Sequence, residues 1–183
     1  VMGDSYKNTP AIIQGGLEKL KEALKDENIP VVIEAAAEYY VDFEFEDKIN
    51  KKELLSFGKN LALIEISFLN APDNFDQIIY KMFTQGYRPV LAHVERYPFW
   101  FNLERYRQLR DRGILLQINI NSLVGFYSPI SKKIAEILID NNMVDLIGTD
   151  CHNMEHIEVL KDCLTAKYLH KVIASGMLKN AQL

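Results

Sequence analysis

Five short apolar segments alternate with amphipathic segments along the 183-residue chain. The apolar segments have the length of strands, and the segments between them carry apolar residues at helical spacing. This alternation is typical of parallel strands that are joined by crossover helices. The predicted strands are 31–40, 62–68, 89–92, 114–119 and 144–148. The predicted helices are 10–25, 73–85, 103–112, 130–141, 155–168 and 170–175, and the charged segment 42–50 is interpreted as a surface excursion.

The strands read as continuous apolar runs, so we expect helices to cover both faces of the sheet, as in a doubly wound sheet or an α/β barrel. The chain contains no G-x-G-x-x-G or P-loop string, which disfavours a nucleotide-binding doubly wound sheet. Polar residues follow the carboxyl ends of the strands, where both folds place their sites. We therefore predict one barrel-like α/β domain over residues 1–183, although five strands are too few to close a barrel.

Composition excludes several classes of protein. The formal net charge is −4 and the chain has no block of like charges, which argues against non-specific binding to nucleic acid or an anionic membrane. No apolar run approaches the roughly 20 residues that span a bilayer, and no signal peptide is visible. Neither Cys151 nor Cys163 has a C-x-x-C partner, so we expect free thiols and a cytoplasmic location.

Four of the predicted strands carry residues of metal-ligand type at or near their carboxyl ends. These residues are Glu38, Glu65, His93 and the pair Asp150 and His152, with Glu34 as a competitor of Glu38. Each has an ordinary explanation on its own, such as exposure of the glutamates or a core hydrogen bond of His93. Together, mixed carboxylate and imidazole ligands suit Mn, Fe or Zn, and bridging carboxylates favour a multinuclear site. Such a site activates water and neutralises the charge of a phosphoryl group.

Other polar residues lie beside these candidates. Arg96 is interpreted either as a phosphate clamp, because its planar fork matches a phosphate, or as the partner of Glu95 in a surface ion pair. Asn119, Asn121 and Ser122 either orient ligands and water from a second layer or serve a turn.

Two residues of the last strand end are assigned structural roles. Strand alternation points Cys151 away from the site, so we predict that it packs as a small apolar side chain. Asn153 is predicted to cap the helix that follows it.

The sequence resembles the PHP (polymerase and histidinol phosphatase) superfamily, and within it the bacterial tyrosine-protein phosphatases of capsule and exopolysaccharide gene clusters. The strings that carry the resemblance are A-E-Y-Y at 37–40, I-E-I at 64–66, L-A-H-V-E-R-Y at 91–97, Q-I-N at 117–119 and G-T-D-C-H-N at 148–153. The resemblance implies a distorted (β/α)7 barrel with a trinuclear metal site. It also implies that Glu38 bridges metals, that Arg96 binds the substrate phosphate, and that the other metal ligands are Glu65, His93, Asp150 and His152.

The resemblance implies metal-dependent hydrolysis of phosphotyrosine without a cysteine nucleophile. Arg96, Asp150 and His152 are then the catalytic candidates, and manganese is the expected metal, with iron or zinc as alternatives. The expected substrate is the tyrosine-rich tail of a polysaccharide-export kinase, and the oligomeric state stays open. Two alternatives remain, namely a phosphatase of a small phosphomonoester such as histidinol phosphate and a catalytically degenerate binding scaffold.

Two departures from the family pattern bear on these alternatives. The H-x-H and T-P-H strings of the family are absent, since the four histidines are His93, His152, His156 and His170. Because the segment 1–6 is similar to the stretch that follows T-P-H, the resemblance predicts a family member that lacks its first two strands. A phosphate-binding arginine often follows D-x-H-N in the family, whereas His156 lies there in this chain. His156 is interpreted as helix surface rather than as a substitute.

Overall fold

A computed structural model describes residues 1–2 and 6–183, so part of the segment 1–6 lies outside the described residues. The described residues form an α/β fold with five strands, as the sequence predicts. The strands are β1 Glu38–Tyr40, β2 Leu61–Glu65, β3 Arg88–Leu91, β4 Leu115–Asn119 and β5 Leu146–Gly148. The α-helices are α1 Pro10–Asp26, α2 Phe45–Asn50, α3 Phe75–Thr84, α4 Leu103–Asp111, α5 Pro129–Asp140, α6 Met154–Cys163 and α7 Lys167–Ala174.

Two predictions about the elements were wrong. The first strand was predicted over 31–40, but β1 contains only the last three of these residues. Val31 and Val32 are 52% and 94% exposed, because an apolar run forms a strand only where a neighbouring strand accepts its hydrogen bonds. The segment 42–50 is not a mere surface excursion, since it contains α2, whose Phe45 and Ile49 are buried.

The chain forms two compact units. The first unit comprises residues 1–66 and 72–89. In it β1 and β2 pair in parallel, with Glu38 opposite Leu63 and Tyr40 opposite Glu65, and α2 packs against α3. The helix α1 begins as predicted, with Pro10 in its first turn and the Thr9 hydroxyl accepting a hydrogen bond from the Ile12 N–H.

The second unit comprises residues 67–71 and 90–183. Here β3 pairs in parallel with β4, and β4 pairs in parallel with β5, with Asn119 opposite Gly148. Every residue of β4 is buried, as expected for a strand between two neighbours in a parallel sheet. The 3₁₀ turn Val94–Arg96 follows β3 and packs against α5, and the 3₁₀ turn Ile120–Val124 follows β4 and packs against α6.

The turn Val94–Arg96 is anchored from α4. The buried Tyr106 hydroxyl donates a hydrogen bond of 3.0 Å to the carbonyl oxygen of Val94. Burial and the nearby Glu95 carboxylate raise the pKa of Tyr106, so the phenol remains a protonated donor at neutral pH. Within the described ranges, no helix is both long enough and apolar enough to span a membrane.

Candidate active site

Two of the predicted ligands lie on the neighbouring strands β1 and β2. Glu38 is the first residue of β1 and Glu65 is the last residue of β2. In the register of this pair, Glu38 lies opposite Leu63 and Tyr40 lies opposite Glu65. Because side chains alternate between the two faces of a strand, both glutamates point to the same face. Both are partly buried, whereas the competitor Glu34 is exposed.

The predicted ligand His93 lies two residues beyond the end of β3 and is 3% exposed. Its backbone has a φ of 35°, in the left-handed region, which residues other than glycine adopt rarely and at a cost. Its N–H donates a hydrogen bond of 2.8 Å to Gln117 Oε1. Its ring lies beside the rings of Phe68 and Tyr97, with centroid distances of 5.6 Å to each.

Within the first unit, the structure brings two of the predicted ligands together. Glu38 and Glu65 each offer a carboxylate oxygen, and these two atoms lie within 4.8 Å of each other. Carboxylates, together with imidazoles, suit Mn, Fe or Zn, so this pair fits a divalent metal. The predicted ligands His93, Asp150 and His152 lie in the second unit.

Asp150 follows β5 and also has a left-handed backbone, with a φ of 51°. Its Oδ2 accepts hydrogen bonds from Asn119 Nδ2 at 2.8 Å, Arg96 Nη1 at 3.3 Å and the Tyr127 hydroxyl at 3.5 Å. Burial, followed by the charge of Asp150, raises the pKa of Tyr127 to about 12, so this hydroxyl stays protonated as a donor. The carboxylate of Asp150 is thus oriented by three side chains.

Arg96 ends the turn Val94–Arg96 and is held by aromatic rings as well as by Asp150. Its guanidinium carbon lies 4.4 Å from the centroid of Phe68 and 4.2 Å from that of Tyr127, which is cation–π geometry. The Arg96 side chain is 23% exposed. These contacts fix the plane of the guanidinium group while part of it stays accessible, as a phosphate clamp requires.

The two histidines after Asp150 converge on its backbone carbonyl. His152 Nδ1 and His156 Nδ1 each lie 2.9 Å from the Asp150 carbonyl oxygen, and the His152 side chain is 70% exposed. His156 is partly buried, with its ring 5.1 Å from the ring of Phe126. The interpretation of His156 as ordinary helix surface was therefore wrong, because the turn after β5 folds α6 back toward Asp150.

The structural roles assigned to Asn153 and Cys151 had different outcomes. Asn153 Oδ1 accepts a hydrogen bond of 3.0 Å from the His156 N–H, which confirms the predicted cap of α6. Cys151 is exposed, so the prediction of apolar packing was wrong. Strand alternation does not apply to it, because β5 ends at Gly148 and the chain turns at Asp150. Both cysteines are free thiols, as predicted.

Glu95 is fully buried and does not form the surface ion pair that was one interpretation of the sequence. Its Oε1 accepts hydrogen bonds from the Asn119 N–H at 3.0 Å and from Ser122 Oγ at 2.6 Å. Burial raises the pKa of Glu95. Asn119, the last residue of β4, and Ser122, in the turn that follows, thus bind the turn that carries His93 and Arg96. Asn121 is also buried, and its Nδ2 donates a hydrogen bond to the carbonyl of His156.

Three residues near the site were not identified from the sequence, namely Phe68, Gln117 and Tyr127. A signal was available for Gln117, because an amide in the middle of an apolar strand needs buried partners. Phe68 and Tyr127 carried none, since isolated aromatic residues are common in any core.

A sequence profile of the family described as capsular polysaccharide synthesis, CpsB/CapC, matches residues 2–182. The chain belongs to the CpsB/CapC family. This match confirms the resemblance that the strings around Glu38, Glu65, His93 and Asp150 indicate.

Named relatives in the CpsB/CapC family are tyrosine-protein phosphatases. The chain is 30% identical over 152 residues to the tyrosine-protein phosphatase YwqE of Bacillus subtilis, a match that covers 82% of the chain and 60% of YwqE. It is 28% identical over 161 residues to the tyrosine-protein phosphatase CpsB of Streptococcus pneumoniae, covering 82% of the chain and 66% of that protein. The chain therefore spans less than two thirds of the length of these relatives.

A solved structure has the same fold. It is one of the crystal structures of YwqE from Bacillus subtilis and CpsB from Streptococcus pneumoniae, which are described as unique metal-dependent tyrosine phosphatases. The superposition has a TM-score of 0.73 at 28% sequence identity, and it covers 91% of this chain and 71% of the other. This CpsB/CapC chain is thus similar in both sequence and structure to enzymes that need a metal.

Proposed function

We propose that this chain carries the catalytic site of a metal-dependent protein-tyrosine phosphatase. The observation that carries the proposal is the pair of Glu38 and Glu65, whose carboxylate oxygens lie within 4.8 Å of each other on the paired strands β1 and β2. Membership of the CpsB/CapC family and the similarity to metal-dependent tyrosine phosphatases support the same reaction.

In this proposal Glu38, Glu65 and His93 hold a divalent metal, with manganese as the expected ion and iron or zinc as alternatives. Asp150 and His152 are proposed as further ligands of a multinuclear site. A bound divalent metal would lower the pKa of a water molecule and would supply positive charge to the phosphoryl oxygens. The donor set of carboxylates and imidazoles supports this assignment, because it suits metals of this kind.

Arg96 is proposed to bind the phosphate of the substrate. The rings of Phe68 and Tyr127 and the carboxylate of Asp150 hold its guanidinium group in one orientation, so little side-chain freedom is lost when the phosphate binds. A planar guanidinium binds two phosphate oxygens at once and stabilises the charge that develops on them during transfer.

The proposal also covers the closure of the barrel, the protein substrate and the cellular location. We infer a PHP-type distorted (β/α)7 barrel in a single domain, to which the five observed strands contribute. The proposed substrate is a phosphorylated polysaccharide-export tyrosine kinase, supported by the link of the CpsB/CapC family to capsule synthesis. A cytoplasmic location stays a prediction from the two free thiols.

Phosphate release from a phosphotyrosine peptide by the full-length protein tests this function. We expect activity to disappear after thorough chelation and to return when Mn²⁺ is added. Full activity in protein that contains no metal by elemental analysis would contradict the proposal.

A second candidate is a phosphatase of small phosphomonoesters, and the observation that favours it is His156. This residue lies where the family often has a phosphate-binding arginine, and its Nδ1 is engaged with the Asp150 carbonyl. Comparing kcat/KM for the phosphotyrosine peptide and for histidinol phosphate separates the two. A preference for the peptide supports the first proposal, and a preference for histidinol phosphate supports the second.

A further inference from the structure

Gln117 occupies the middle of β4, where every residue is buried, and its amide makes three hydrogen bonds inside the second unit. Its Oε1 accepts the bond of 2.8 Å from the His93 N–H. Its Nε2 donates to the Ile118 carbonyl at 2.7 Å and to Asn119 Oδ1 at 2.9 Å. Both of its donor hydrogens and its acceptor are therefore used. A side chain with this bonding has one orientation.

These bonds connect the ends of β3, β4 and β5. The accepted bond from His93 N–H stabilises the residue whose backbone is left-handed, a conformation that persists only where neighbours impose it. The bond to Asn119 Oδ1 fixes which end of the Asn119 amide is the acceptor. Asn119 Nδ2 must then face Asp150, to whose Oδ2 it donates at 2.8 Å. One continuous series of bonds runs from His93 through Gln117 and Asn119 to Asp150.

The neighbouring strand leaves room for this amide at Gly148. A Cβ atom added at Gly148 would lie 2.8 Å from Gln117 Nε2, closer than such atoms approach in folded proteins. The backbone of Gly148 is not in the left-handed region, so a side chain here meets no conformational barrier but would have to displace the Gln117 amide. The absence of a side chain at Gly148 thus allows Gln117 to lie against β5.

We propose that Gln117 is a positioning residue that sets the geometry of His93 and Asp150, with Gly148 as the position that admits it. The inference rests on the proposed function, in which both residues serve the metal site. It extends that function to residues that touch neither metal nor substrate. Hydrogen bonds that orient the side chains of metal ligands change metal affinity by about 10- to 100-fold when they are removed.

The test combines four variants of the full-length protein: Gln117→Leu, Gln117→Ala, Gly148→Ala and the double variant Gln117→Ala with Gly148→Ala. Mn²⁺ affinity is measured by calorimetry, and exchange of the His93 amide hydrogen is measured by NMR in metal-free protein. We expect about 10-fold or greater loss of Mn²⁺ affinity in Gln117→Leu and faster exchange of the His93 amide. Ser131→Ala is the matched control, because it removes a partly buried side-chain hydrogen bond of the second unit, between Ser131 and Ser128.

Gly148→Ala provides the decisive comparison. If Gly148→Ala acts by displacing the Gln117 amide, it weakens Mn²⁺ binding when Gln117 is present. In the Gln117→Ala background, where the amide is gone, Gly148→Ala should cause no further loss of Mn²⁺ affinity. The inference is overturned if the losses of Mn²⁺ affinity in the two single variants add up in the double variant. It is also overturned if Gln117→Leu keeps both the Mn²⁺ affinity and the His93 amide exchange of the wild type. If wild-type protein binds no metal, the proposed function fails, whereas slow exchange of the His93 amide that is lost in Gln117→Leu still supports the positioning role.

Discussion

Two aspartates stand at opposite ends of β5, and their surroundings differ sharply. Asp145 precedes the strand and is 1% exposed. Its carboxylate accepts hydrogen bonds from Arg110 Nε at 3.1 Å, Lys179 Nζ at 2.8 Å and the Leu116 N–H at 3.0 Å. Burial alone would raise the pKa of Asp145, but the bonds from Lys179, Leu116 and Arg110 hold it below its usual value. Two cations and a backbone donor therefore saturate this carboxylate.

Asp150, after the strand, is bound more loosely. Its side chain is 14% exposed, and its one arginine contact, to Arg96, is 3.3 Å long. Asn119 and Tyr127 donate to it as neutral groups, His152 Nδ1 lies 3.3 Å from its Oδ1, and its own backbone is left-handed. Strain of this kind gathers at functional sites. The difference between the two carboxylates indicates that the amino end of β5 holds the fold together, whereas the carboxyl end is arranged for chemistry.

The largest expected effect is that of Asp150→Asn. Loss of the charge weakens the orientation of Arg96 and removes a proposed metal ligand, so we expect phosphotyrosine turnover to fall by about 100-fold or more. The free energy of unfolding should fall by about 1 kcal/mol at most, because the asparagine oxygen can still accept hydrogen bonds from Asn119 and Tyr127. Steady-state kinetics and thermal unfolding of the same preparation measure both quantities. Turnover near that of the wild type would remove Asp150 from the site.

Asp145→Asn should show the opposite behaviour. It removes the carboxylate that pairs with Arg110 and Lys179, but both are more than a quarter exposed, so solvent screens part of the loss. We expect about 2 kcal/mol of destabilisation, which lowers Tm by about 6 °C, with kcat of the folded protein unchanged. Glu104→Gln, which breaks the exposed pair with Arg107, is the control and should leave Tm nearly unaltered. A fall in kcat without a fall in Tm would reverse the assignment of the two ends.

The stability contributed by Asp145 should depend on pH. Because folding lowers the pKa of Asp145 below its usual value of 3.8, its contribution to stability is fully present above pH 3.8 and is lost as the pH falls through the folded-state pKa. The difference in unfolding free energy between wild type and Asp145→Asn should therefore be constant from pH 7 to about 5 and shrink below about 4. Urea unfolding across this range measures it, and a difference independent of pH would rule out the ion pairs as its source.

The smallest expected effect is that of Cys151→Ser. Cys151 is exposed, and its thiol contacts only the Asn153 carbonyl in the described part of the chain. We expect kcat/KM to change by less than about twofold, measured with the phosphotyrosine peptide. A loss of activity would instead indicate a cysteine nucleophile.

The sequence allowed much of this site to be predicted, since ligand-type residues can be recognised where continuous apolar runs end. Glu38, Glu65 and His93 were found in this way. The carboxylate partners could not be found, because Arg96 and Asp150 are 54 residues apart and only the parallel pairing of strands brings them together. The short β1 shows the converse limit, since the exposed Val31 and Val32 fit the sequence pattern of a strand but pair with no strand in the described part of the chain.

The most direct measurement is the rise in Tm when Mn²⁺ is added to chelator-treated full-length protein. A ligand at about 100 times its Kd stabilises the fold by about 2.7 kcal/mol, which corresponds to a rise of about 8 °C. We predict this rise in the wild type and, from a lower starting Tm, in Asp145→Asn, and its absence in Glu65→Gln. A full rise in Glu65→Gln would contradict the assignment of the metal to Glu38, Glu65 and His93.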